Sequence, residues 1–171
     1  MKRLIIVTGF ESSGSVFAAR IVSFVLGKCS KFGDWNGYGW NGKYGEELVI
    51  IHRSMPYMRN PKRWIIDLEN EIALLKDYSR EFIICTRDLN ISRISRIKRF
   101  GGTHSDYKND DKRAAEIFSR IISEEKYFIL NLETAIALGD AYYQGLFAWL
   151  NVETNFSPNI IDANKPYIKN I

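Results

Sequence analysis

The sequence predicts an α/β fold, a parallel sheet flanked by helices on both faces in a three-layer sandwich. Three observations predict it. The runs Leu4-Ile5-Ile6-Val7, Leu48-Val49-Ile50-Ile51 and Phe82-Ile83-Ile84-Cys85 are continuously apolar and rich in β-branched residues, as strands buried on both faces must be. Segments with apolar residues at helical spacing separate them. Strands alternating with helices imply a parallel sheet covered on both sides.

Taken in order, the first strand passes into a loop from Thr8 to Gly14. A helix follows with Val16, Phe17, Ala19, Val22, Phe24 and Leu26 on its apolar face, ending near Gly27. Residues 31–45 hold five glycines with Trp35, Tyr38 and Trp40, and read as a long surface loop. The second strand exits through His52-Arg53-Ser54-Met55-Pro56 into a helix marked by Ile65, Leu68, Ile72 and Leu75. The third strand leads directly into Arg87-Asp88 and a basic helix through Arg99, stopped by Gly101-Gly102. Asp110 or Asp111 caps the next helix, which reaches about Ser123. Tyr127 to Leu130 forms a fourth strand, and residues 134–150 a last helix.

A chain of 171 residues matches one hydrophobic core, so residues 1–171 are expected to form a single domain. With 46% hydrophobic and 26% charged residues, the composition excludes disordered, collagen-like and membrane-embedded classes. The formal charge of +4 suits anionic partners without specifying nucleic acid. Cys29 and Cys85 lack metal-ligand spacing, and Cys85 reads as a core residue. The apolar run after Met1-Lys2-Arg3 is too short for a signal sequence or a membrane span, which leads us to expect a cytoplasmic protein.

Ligands of such sheets bind outside the carboxyl ends of the strands. Three exits carry the candidates. Gly9-Phe10-Glu11-Ser12-Ser13-Gly14-Ser15 has small residues and two glycines before a helix, so its amides can turn toward a phosphate. Ser15 and Val16 stand where a Walker A loop has Lys and Ser or Thr. A tight turn with a serine cap is an equal reading. His52 is one of two histidines; a ring there can take a proton near neutral pH, or be a hydrogen-bonded structural residue. Arg87 presents a planar fork to an anion, whereas Arg93, Arg96, Lys98 and Arg99 read as a solvated or nucleic-acid-facing surface.

In this order the three exits resemble the PAPS-dependent sulfotransferases. The loop from Gly9 to Ser15 is similar to the family's 5′-phosphosulfate loop. Ile84-Cys85-Thr86-Arg87-Asp88-Leu89-Asn90 with Ser95, eight residues after Arg87, is similar to its 3′-phosphate motif, and Ile50-Ile51-His52-Arg53-Ser54 to the strand end carrying its catalytic histidine. Tyr127-Phe128-Ile129-Leu130-Asn131-Leu132-Glu133 resembles its late strand and acidic turn. The resemblance implies a P-loop-like fold and transfer of a sulfuryl group from PAPS (3′-phosphoadenosine 5′-phosphosulfate) to a hydroxyl or amine of a small molecule or glycan, with no metal. It implies that Ser12, Ser13, Gly14 and Ser15 hold the phosphosulfate and that Arg87 and Ser95 hold the 3′-phosphate. His52 would be the base, with Glu11 as the alternative. Ser12 stands where the family has a basic residue, and Lys43 or Arg53 is the expected replacement cation. The family's C-terminal Arg-Lys-Gly segment is absent; Lys165 and Lys169 supply the tail's charge.

Two other readings remain at this point. A nucleotide or small-molecule kinase shares the strand, phosphate loop and helix, but needs a lysine and a magnesium-binding hydroxyl that this loop lacks in the usual places. A non-catalytic protein could bind nucleotide or nucleic acid through the basic helix. The loop from Trp35 to Tyr44 is the candidate acceptor surface.

Overall fold

A computed structural model of the chain describes residues 2–55, 73 and 75–168. Five strands make one sheet: β1 (Arg3–Phe10), β2 (Gly39–Asn41), β3 (Leu48–Met55), β4 (Ser79–Thr86) and β5 (Lys126–Asn131). The spatial order is β2-β3-β1-β4-β5, with only the short edge strand β2 antiparallel. The helices are α1 (Ser15–Val25), α2 (Leu89–Phe100), α3 (His104–Glu124), α4 (Leu132–Leu138), α5 (Asp140–Leu150) and a single turn, α6 (Lys165–Ile168).

Period-two alternation along the strands sends side chains to two cores. Ile5, Val7, Ile50, Ile83 and Cys85 pack with α1, α4 and α5, whereas Leu4, Ile6, Val49, Ile51 and Phe82 pack with α3. Both faces are therefore covered, which makes the three-layer α/β sandwich that the apolar runs predict. No helix among the described residues is long and apolar enough to cross a membrane. On the outer edge of β5, the Tyr142 hydroxyl donates to the Ile129 carbonyl at 2.8 Å and accepts from the Asn131 amide at 3.0 Å. It thereby satisfies backbone groups that could otherwise pair with another strand.

Several boundaries differ from the sequence reading, each for a physical reason. The strands run further than their apolar runs because backbone pairing, not side-chain polarity, ends a strand. Gly9 still pairs with Ser54 and Cys85, so only residues 11–14 form the loop, and His52 lies inside β3 opposite Val7. The glycine-rich segment 31–45 is not wholly a loop, because residues 39–41 add a strand beside β3. Helix α3 is capped by Thr103, whose hydroxyl accepts from the Asp106 amide while the Asp106 carboxylate takes the Thr103 amide. This capping box leaves Asp111 in the helix interior. The last helix is divided at Gly139, and it begins at Leu132, capped by Asn131, rather than at Thr134. Of the helix marked by Ile65, Leu68, Ile72 and Leu75, only Leu75 is among the described residues, and it is fully buried in a turn.

The order of the parallel strands creates a switch point. From β1 the chain moves to β3 on one side, and from β4 to β5 on the other. The crevice between the carboxyl ends of β1 and β4 is where such sheets take ligands.

Candidate functional site

A cavity of about 590 Å³ opens at this crevice. Glu11, Ser12, Gly14 and Ser15 contribute its floor from the β1–α1 turn. His52, Arg53 and Ser54 enter from β3, and Arg87 from the end of β4. Ser95, Arg99 and Phe100 come from α2, with Tyr38, Ala163 and Tyr167 at the sides. Three arginines therefore meet one carboxylate in the lining, a balance that favours an anion.

Gly14 caps α1 with no side-chain acceptor, and no acidic residue lies in the first turn. The positive end of the helix dipole thus meets neither a capping side chain at Gly14 nor a carboxylate in the first turn. The turn depends on Gly9. A Cβ there would lie 2.3 Å from the Cys85 carbonyl oxygen and 2.5 Å from Ser13 Oγ, so only glycine lets the loop lie against β4. Ser13 consequently packs inward, with its Oγ buried and lacking a hydrogen-bond partner, and does not line the cavity with Ser12, Gly14 and Ser15. Ser12 adopts a left-handed backbone, φ 68°, which turns its hydroxyl toward Arg99 Nη1 at 3.3 Å.

His52 is 3% exposed, and its Nε2 lies 2.9 Å from Ser15 Oγ, which in turn lies 3.4 Å from Ser54 Oγ. Burial, with a smaller contribution from the Arg53 charge, lowers its pKa to about 4, so the ring is neutral at physiological pH and has a lone pair to offer. The ring of Tyr38 stands edge-on to His52, with centroids 5.7 Å apart. Gly37 makes that approach possible: its φ is 81°, and a Cβ would meet the Val16 carbonyl oxygen at 2.7 Å, so the segment lies directly on α1.

Arg87 is 8% exposed and firmly held. Its Nε donates to Asn164 Oδ1 at 2.7 Å, Nη1 to the Ser12 carbonyl at 2.9 Å and Nη2 to the Ala163 carbonyl at 2.7 Å. Those bonds use three of the five N–H groups of a guanidinium. Ser95 Oγ donates to the Tyr167 hydroxyl at 3.2 Å.

The structure thus brings Glu11, Ser12, Gly14, Ser15, His52, Arg87 and Ser95 to one cavity and leaves Ser13 outside it. Lys43 does not line the cavity; its amide donates to Glu46 in a separate turn. Arg53 does line it, and so does Arg99, which is exposed, as expected of a solvated basic face, and yet borders the cavity. The spacing Ser95 to Arg99, four residues apart on one helical face, was the available signal. Two further cations of that helix turn inward rather than toward solvent or nucleic acid. Arg93 and Arg96 both pair with Asp111, at 2.7 and 2.6 Å, and Arg96 also lies 4.6 Å from the centroid of the Tyr107 ring. Among the described residues, no group of three or more His, Cys, Asp or Glu side chains is placed to hold a metal ion, and Cys29 and Cys85 are both free thiols. No family model, no curated protein and no solved structure matches the chain.

Proposed function

We propose that this protein transfers a sulfuryl group from PAPS to a hydroxyl of a small molecule or glycan. One observation carries the reading: a buried, neutral His52 sits 2.9 Å from Ser15 at an open helix N-terminus, inside a cavity lined by three arginines. The first-turn amides of α1, with the hydroxyls of Ser12 and Ser15, would receive the 5′-phosphosulfate. Arg87 and Ser95 would receive the 3′-phosphate. An acceptor hydroxyl entering past Tyr38 takes the place of Ser15 at His52 Nε2. Its oxygen then bonds to sulfur as the bond from sulfur to the bridging phosphate oxygen breaks. His52 takes the hydroxyl proton, and PAP, adenosine 3′,5′-bisphosphate, leaves. The charge developing on the bridging oxygen needs a donor already in place. Arg99, held at Ser12, is the residue we assign to it in place of a basic residue in the loop itself.

The test separates binding from chemistry. His52→Ala should lower turnover by about 100-fold or more while leaving PAP affinity nearly unchanged, because a base acts only in the chemical step. Turnover that survives His52→Ala and collapses in Glu11→Gln would make the carboxylate the base. Turnover that survives both would reject this mechanism.

A further inference from the structure

We infer that the C-terminal segment 163–167 is an internal competitor for the anion site, a strap that must be displaced before a phosphate can engage both Arg87 and Ser95. The inference rests on the reading of those two residues as anion ligands. The tail takes two donors of Arg87 and the hydroxyl proton of Ser95, all of them groups that an incoming phosphate could otherwise use, and leaves Arg87 two N–H groups. The Ala163 carbonyl and Asn164 Oδ1 occupy Nη2 and Nε of Arg87, and the Tyr167 hydroxyl occupies Ser95 Oγ. The Tyr167 ring lies under the guanidinium, with its centroid 5.3 Å from Cζ.

The strap is fastened as well as placed. Asn164 is 5% exposed and donates through Nδ2 to Glu133 Oε1 at 2.9 Å, while the same carboxylate oxygen accepts from the Asp88 amide. The tail is therefore tied to the exits of β4 and β5 together. Three carboxylates, Glu133, Asp162 and Asp88, also act on the Arg87 charge, and Asp162 belongs to the tail. An anion entering against that carboxylate is repelled until the tail moves. Fixing the tail is a single turn, α6, in which the Tyr167 amide donates to the Asn164 carbonyl at 2.8 Å. One turn of helix has little stability of its own, so the strap can open without disturbing the sheet.

The experiment compares the 171-residue protein with Tyr167→Phe and Tyr167→Ala. Calorimetric titrations use PAP and, separately, inorganic pyrophosphate, and hydrogen exchange at the Tyr167 amide is followed with and without PAP. The strap predicts that Tyr167→Ala tightens PAP by about fivefold or more, that Tyr167→Phe tightens it less, and that PAP speeds exchange at the wild-type Tyr167 amide. Equal or weaker PAP binding in Tyr167→Ala, or slower exchange with PAP, would make the tail a wall of the site and overturn the inference. If PAP binds none of the proteins while pyrophosphate binds Tyr167→Ala more tightly than wild type, the sulfuryl-transfer reading falls and the strap stands. If neither anion binds any of them, the strap falls too.

Discussion

Acidification should destabilise this protein through His52. The unfolded chain binds a proton at this ring with a pKa of about 6.5. In the folded protein burial, helped by the Arg53 charge, lowers it to about 4. A depressed pKa contributes stability that is complete above the unfolded value and is lost as pH falls toward the folded one. Linkage between these two values gives a loss of about 2 kcal/mol from roughly pH 7 to pH 5, tending to about 3 kcal/mol when the ring is protonated in both states. Urea unfolding of wild type and His52→Asn across that range measures it. The wild type should lose about 2 kcal/mol more than the variant, whatever the variant's starting stability. Glu81 does not confuse the window. Burial raises its pKa, but hydrogen bonds from Arg3 and Lys126 outweigh that and hold it below the ordinary range, so it matters only in stronger acid. Parallel pH profiles for the two proteins would show that His52 is not desolvated, and the argument for a neutral base would lose its footing.

Two further outcomes follow from the packing. Asp111→Asn should cost about 3 to 5 kcal/mol in a denaturant titration, because it leaves Arg96, 1% exposed, buried without its countercharge; a loss below about 1 kcal/mol, the range of exposed pairs, would mean that water reaches the guanidinium. Gly9→Ala should cost at least about 1 to 3 kcal/mol, since its Cβ must push β1 away from the Cys85 carbonyl, and unchanged stability would contradict the close approach.

Strands β1, β3 and β4 were legible because both of their faces are buried, so apolar side chains occur without alternation. Their ends were not, because Thr8, Gly9, His52 and Ser54 are small or polar yet remain in the hydrogen-bonded ladder. Helix α1 was legible from its apolar spacing, and α2 from its closing glycines. Asp111 misled as a cap because its partners, Arg93 and Arg96, lie on the preceding helix, and only tertiary packing brings the three together. The site was readable where it hangs on strand exits, as with Glu11, Ser12, Ser15 and Arg87. The tail was not, because nothing local in Asn164-Lys165-Pro166-Tyr167 announces that it returns across the sheet to Arg87.

The central claim is that the cavity takes a 3′,5′-bisphosphorylated adenosine nucleotide. Calorimetric titration of the protein with PAP, ATP and a random oligonucleotide, in buffer without added metal, tests it most directly. The account predicts that PAP binds in a one-to-one complex, that ATP binds more weakly because it lacks the 3′-phosphate, and that the oligonucleotide does not bind. It also predicts that Arg87→Ala weakens PAP by about 2 to 5 kcal/mol through loss of a buried charged contact. Binding of ATP or the oligonucleotide in preference to PAP, or PAP affinity unchanged in a folded Arg87→Ala protein, would contradict it.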